Sequence, residues 1–365
     1  MDRDSGWNVG SRAGADSGSG LYGAVRSLPL TIEGVALDEK RIETDKRAFE
    51  RTVIELHGDS HVGFGEDVTP DVESHERLRA EGLALPSGTY TVETVSARLD
   101  DESGAAPPSQ AVDGPNRRWA VESAALDLAL KQAGETLASA LDRTYEPVRF
   151  VVSPQLGDPP SIEPLHRLRE PDPTLEFKID VPADPSDALL SELTATDAVR
   201  VLDLKGQYSD DVGAPADPAL YRRLFELFPT ATIEDPTLTD ATRPILEAHA
   251  DRISWDAPIT GVESLTALPW KPAALNIKPC RFGTLESLCR VLDIAIERGI
   301  DLYGGGMFEL DAGRAHSQAL ASLLYPGGHN DLAPPAYYKP APDHVRPTSP
   351  LDAPARPSGI GWHSV

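Results

Sequence analysis

Basic residues are scarce in this chain. Lysine and arginine together number 34 against 58 acidic residues, for a formal net charge of −24, and only eight of the 34 are lysines. So acidic a surface repels nucleic-acid phosphates and anionic headgroups, so neither nucleic acid nor a membrane is an expected partner. The same bias suits a high-salt cytoplasm or a GC-rich genome, and the sequence does not separate the two. Cysteine is almost absent: Cys280 and Cys289 cannot build a disulfide framework. No apolar run approaches the roughly 20 residues that a membrane helix needs, and the first residues carry no signal-peptide core. A cytoplasmic location is expected. A phosphate loop or Gly-x-Gly-x-x-Gly run is also missing where a nucleotide fold would place it.

The 365-residue chain is long enough for one large barrel and a smaller domain. Residues 1–20, rich in Gly, Ser and Asp, are expected to be a disordered leader. Residues 21–145 read as a small α+β domain. Its strand-like runs are Leu28–Glu33, Arg51–His57 and His61–Val68, with Gly58-Asp59 as a hairpin signal. Helical patterns cover 74–84 and 117–142, the second through Trp119, Ser123, Leu126, Leu130 and Ala133. Ser103–Pro115 is a loop.

From Val148 strands alternate with helices. Candidate strands are 148–153, 175–181, 199–204, 231–235, 252–256, 273–278 and 300–304, with a short eighth near Asn330–Leu332. Helices lie between them, including Pro218–Leu227, which Asp217 can cap, and Thr284–Arg298. Such alternation implies parallel strands with crossover helices. It favours a closed (β/α) barrel over residues 146–335 rather than an open doubly wound sheet. The Pro-rich tail, 336–365, is expected to wrap back over the surface.

Four of these strands end in charge. Asp203 closes Val-Arg-Val-Leu-Asp, Glu234 closes Ala-Thr-Ile-Glu, Asp256 closes Arg-Ile-Ser-Trp-Asp and Lys278 closes Ala-Leu-Asn-Ile-Lys. The gaps are 31, 22 and 22 residues, each about one strand plus one returning helix. In a βα barrel such ends form one mouth, where three carboxylates suit a hard cation and a lysine can serve as a base. Acidic residues also end strands merely as turn formers or caps. Here the ordered set of four argues for a site.

The chain resembles the enolase superfamily, nearer its muconate-lactonising-enzyme subgroup than its mandelate-racemase one. The resemblance spans roughly residues 22–335. It is carried by Ile233-Glu234-Asp235-Pro236, the Asp256 strand end, Leu275–Pro279 with Gly283, Gly305–Glu309, and the helix-like Ala120–Ala129. It implies a modified (β/α)7β TIM-type barrel with an N-terminal α+β capping domain. Asp203, Glu234 and Asp256 would be Mg²⁺ ligands and Lys278 an acid/base group. The substrate would be a small carboxylate whose α-proton is removed, the enediolate resting on the metal, by a lyase or isomerase. A metal there would neutralise developing charge and draw the lysine pKa down.

Three departures qualify this. Where the subgroup has Lys-x-Lys, this chain has Lys178-Ile179-Asp180; where it has Asp-x-Asn, Asp203-Leu204-Lys205; where it has Asp-Glu-Ser, Asp256-Ala257-Pro258. Asp180 thus stands where the opposing base is expected, which favours one-base chemistry over two-base racemisation, and Lys178 is the next candidate base. Lys205 either pairs inward with Asp203 and competes with the metal, or points to the rim. An o-succinylbenzoate synthase or dipeptide epimerase is the alternative within enzymes. A catalytically impaired barrel serving as a binding protein is the alternative outside them. Glu309 either orients Lys278 or substrate, or pairs with Arg314. His57, His61 and His316 read as structural, and Cys280 as unactivated. The Gly304–Gly306 run reads as close backbone approach. Substrate identity and oligomeric state stay open, a homo-oligomer being allowed.

Overall fold

A computed structural model of the chain describes residues 20–43, 48–102, 114–208, 213–338 and 346–362. Residues 1–19 of the expected leader and most of the Ser103–Pro115 loop lie outside them. The first unit runs α1 (Leu21–Val25), β1 (Pro29–Ile32), β2 (Gly34–Glu43), β3 (Ala48–Gly58), β4 (His61–Asp67), α2 (Val72–Glu81), β5 (Gly88–Thr91), α3 (Val92–Glu102), α4 (Pro115–Ala133) and α5 (Leu137–Ala140). Strands β2, β3 and β4 form an antiparallel meander, and β5 pairs antiparallel with β1. The β3–β4 turn is carried by Asp59 and Ser60 at φ 49 and 64, the left-handed pair a two-residue hairpin requires. The sequence reading missed β2. Its interior Asp38-Glu39-Lys40-Arg41 hides the alternation, and such charge belongs on an edge strand, where it discourages pairing with another chain.

Helix α4 lies directly on β4 because two glycines admit it. A Cβ on Gly65 would stand 1.8 Å from the Ala120 carbonyl oxygen, and one on Gly63 2.2 Å from that of Ala124. Pro115 opens this helix and Gly134, left-handed at φ 69, closes it.

The second unit alternates: α6 (Glu163–Arg169), β6 (Phe177–Asp180), α7 (Asp187–Ala195), β7 (Val199–Asp203), α8 (Pro218–Leu227), β8 (Thr232–Glu234), α9 (Arg243–Ala248), β9 (Ile253–Trp255), α10 (Val262–Thr266), β10 (Ala274–Ile277), α11 (Leu285–Arg298), β11 (Asp301–Gly304) and α12 (Ala312–Leu324). Strands β6 to β11 lie side by side in chain order, all parallel. Two short segments close the sheet on itself. Val152 bridges to Phe177, Phe150 to Asn330, and Asp331 to Gly305, all parallel. The barrel is therefore closed, with 148–152 and 330–331 as its remaining two staves in single bridges rather than full ladders. Phe150, Phe177, Ile179, Val201, Ile233, Ile253, Leu275 and Ile277 are buried on one or the other face of its sheet.

Helix α8 starts as expected: Asp217 accepts the Ala219 N–H at 2.8 Å, and Leu220, Tyr221, Leu224 and Phe225 are buried. The C-terminal stretch 346–362 touches both units. Leu351 pairs with Val148, and the Ile360 N–H donates to Asp127 on α4 at 2.9 Å. No helix among the described residues is long and apolar enough to cross a membrane.

Candidate active site

Parallel strands in register bring their C-terminal ends to one rim. Asp180 is the register partner of Asp203, and Asp203 of Glu234. Asp256 and Lys278 follow directly on β9 and β10. Asp203, Glu234 and Asp256 are each at most 1% exposed and Lys278 8%. Three buried carboxylates at one rim need partners, because burying an unpaired charge costs several kcal/mol.

The partners are side chains of the chain itself. Lys178, inward-facing on β6, donates to Glu234 Oε1 and lies 3.2 Å from Asp203 Oδ2. Lys205 donates to the same Asp203 oxygen at 3.1 Å, contacts Asp180 at 3.0 Å, and gives its own N–H to Asp203 Oδ1 at 2.9 Å. Lys205 thus points inward. Lys278 donates to Asp256 Oδ2 at 2.9 Å, Tyr208 Oη donates to that oxygen at 2.9 Å, and Arg281 takes Asp256 Oδ1 at 2.7 Å. Tyr303 Oη donates to Glu234 Oε2, and Asn276 Nδ2 lies 3.3 Å from both Glu234 oxygens.

These pairs set the charge states. Burial works against the Lys278 ammonium, yet Asp256 more than offsets it and its pKa stands above the ordinary lysine value. The downward shift expected from the sequence supposed a metal cation beside the lysine, and without one Asp256 sets the direction. Lys178 moves the same way, burial being outweighed by Asp203 and Glu234. Burial would raise Asp203 and Asp256, but the lysines around Asp203, and Lys278 with Arg281 beside Asp256, hold both below the usual carboxylate range. Glu234 is pushed up by burial, Lys178 opposing and the neighbouring carboxylates adding.

Several residues that matter here were passed over in the sequence. Asp235 accepts the N–H of Asp256 and of Ala257, each at 2.8 Å, and so pins the end of β9. Its signal was the Glu-Asp-Pro run, read only for Glu234. Asn276 was findable two residues before Lys278, on the same strand face. Tyr208, Arg281 and Tyr303 carried no local signal. Glu309 pairs with Arg314 at 3.1 Å and accepts the Met307 N–H at 2.7 Å. A Cβ on Gly305 would meet Asn276 Oδ1 at 2.3 Å and Lys278 Cε at 2.8 Å, so glycine there lets both side chains into the mouth. His57 and His61 bond within their hairpin, His316 is buried on α12, and burial pushes the Cys280 thiol up.

The first unit reaches over this rim. Arg51 on β3 donates to the carbonyls of Met307 at 2.9 Å and Phe308 at 3.1 Å. Glu66 on β4 accepts the N–H groups of Leu310, Asp311 and Gly313 at the start of α12, at 2.5, 2.9 and 2.9 Å.

The donor set does not fit the expected Mg²⁺ as it stands. Such an ion wants about six oxygens not already held by other cations. Here all six oxygens of Asp203, Glu234 and Asp256 accept hydrogen bonds from the chain, four of them from the side chains of Lys178, Lys205, Lys278 or Arg281, and these cations would repel a metal. Among the described residues no group of three or more His, Cys, Asp or Glu side chains converges to hold a metal.

Two family models match the chain: "Domain of unknown function (DUF8230) C-terminal domain" over residues 144–339, and the DUF8230 N-terminal domain over 23–140. The chain is 30% identical over 222 residues to an N-succinylamino acid racemase of Thermus thermophilus, the match covering 57% of this chain and 57% of that protein's length. In fold it is similar to a dipeptide epimerase from Methylococcus capsulatus solved with Mg and the dipeptide L-Arg-D-Lys, with TM-score 0.64, 22% identity, and 81% of this chain and 89% of that one covered. It is also similar to muconate lactonizing enzyme from Pseudomonas putida, with TM-score 0.61, 20% identity, and 82% and 87% covered. The fold is that of the enolase superfamily: an α/β barrel with a separate N-terminal domain.

Proposed function

We propose, for a chain that belongs to the DUF8230 family, acid–base chemistry at the carbon alpha to the carboxylate of a small substrate, the work of an isomerase or lyase. The observation that carries this reading is the convergence of Lys178, Lys205, Lys278 and Arg281 with Asp203, Glu234 and Asp256 at the C-terminal mouth. The fold relatives named above are enzymes of this general kind, which supports it.

In this reading the substrate carboxylate meets Arg281 and Lys205, the less enclosed cations of the mouth. Lys278 in its free-base form takes the α-proton, and Asp256 stabilises the ammonium that results. Charge that builds up on the substrate oxygens faces guanidinium and ammonium groups in a poorly solvated mouth, where such interactions are strong.

The test is α-hydrogen exchange in D₂O, followed by NMR over a panel of N-acylamino acids, dipeptides and other small carboxylates. Exchange that Lys278→Ala abolishes supports the reading. One observation favours a second reading, a barrel that binds carboxylates without turnover: every carboxylate of the mouth is already paired. Ligand-induced thermal stabilisation with no exchange for any panel member would select it.

A further inference from the structure

We infer that Lys178 and Lys205 are the resident counter-ions of Asp203 and Glu234, so that the chain's own ammonium groups fill the place a divalent cation would take and the folded mouth is a metal-free site. The inference concerns the charge of the mouth, and it stands or falls separately from the proposed catalysis.

Three observations carry it. The first is occupancy. Asp203 is chelated by one residue, Lys205, through its N–H at 2.9 Å and its ammonium at 3.1 Å, while Lys178 Nζ shares Oδ2 at 3.2 Å. Lys205 holds this grip from a left-handed backbone at φ 50. A non-glycine residue keeps that conformation only where its surroundings sustain it.

The second is charge. Asp180, Asp203, Glu234 and Asp256 are paired with Lys178, Lys205, Lys278 and Arg281, four formal charges of each sign, and the fifth carboxylate, Asp235, is held by the N–H groups of Asp256 and Ala257. A dication added to this set would face four cations already paired to its ligands. Like charges a few ångströms apart in a poorly solvated mouth repel strongly. Lys178 has little room to retreat, its side chain being only 3% exposed.

The third is that two departures in the sequence form one arrangement. Asp180 and Asp203 are register partners on adjacent strands, and facing like charges destabilise a sheet. Lys205 lies between them at 3.0 and 3.1 Å. Asp180 therefore calls for an ammonium at position 205, and that ammonium occupies Asp203.

Mn²⁺ titration of the full chain, read by the EPR signal of the free ion, tests this. The parent is expected to leave Mn²⁺ free into the millimolar range. Lys205→Asn should bind it at least about tenfold more tightly, since one opposing charge is gone, and Glu234→Gln added to Lys205→Asn should reverse the gain. Thermal melting checks that each variant folds, and Lys178→Met is read in the same way if Lys205→Asn does not. One equivalent of Mn²⁺ held by the parent and lost in Glu234→Gln would overturn the inference. So would a folded lysine variant that binds no more tightly than the parent.

Discussion

Asp180 and Asp203 stand opposite each other on parallel strands β6 and β7, with the ammonium of Lys205 between them at 3.0 and 3.1 Å. The pair explains why a lysine is tolerated two residues beyond Asp203. It also makes Lys205 a structural element of the rim, with a stability signature of its own.

Lys205→Met leaves Asp180 without its lysine and Asp203 with Lys178 alone, and should lower the unfolding free energy by about 1–3 kcal/mol. Removing Asp180 as well, in Asp180→Asn/Lys205→Met, should recover part of that loss, with a coupling of roughly 0.5–3 kcal/mol. Urea denaturation of the parent, both single variants and the double variant measures it. Strictly additive effects would mean that Lys205 does not hold the two strands' charges together.

Catalysis by Lys278 carries a pH signature. Asp256 holds its pKa above the ordinary lysine value, so at neutral pH the free base is a small fraction. Raising the pH increases that fraction, and exchange should climb roughly tenfold per pH unit until the lysine titrates. A profile flat from pH 7 to about pH 9 would assign the base to another group.

Glu66 couples pH to the joint between the two units. Burial raises its pKa to about 7, with Glu309 adding and the three N–H donors opposing. From the ordinary 4.5 up to about 7, the folded state keeps a proton that the unfolded chain has released. Its contribution is therefore most favourable in acid and is lost as pH rises through about 7. Relative to Glu66→Gln, the parent should lose stability across that window and run parallel above it. Denaturation at a series of pH values reads the difference; parallel curves throughout would show an ordinary carboxyl.

Gly65→Ala should weaken the first unit by about 1–3 kcal/mol or more, because its methyl would meet backbone rather than a movable side chain. Gly134→Ala is the contrast. It has open space around it and only its left-handed φ of 69 to strain, so the loss should be smaller. Thermal or urea unfolding ranks the two.

Much of the site was legible because it is local. Glu234 and Lys278 each sit at the end of an apolar run bounded by turn signals, and a parallel barrel converts strand ends into one mouth. Helix α8 was legible for a similar reason, Asp217 and Pro218 marking its start within two residues. Strand β2 was hidden by its four consecutive charges, since an edge strand need not alternate like a buried one. The direction of Lys205 could not be read from Asp-Leu-Lys, because a left-handed residue breaks the strand's alternation just where the side chain turns. Nor could Tyr208, Arg281 and Tyr303 be assigned, as each meets its carboxylate across 48, 25 and 69 residues of chain. The sequence alone determined which charges reach the rim, through the period of strand and helix. The tertiary structure decided how they pair, because burial makes each carboxylate take the nearest cation whatever its distance along the chain.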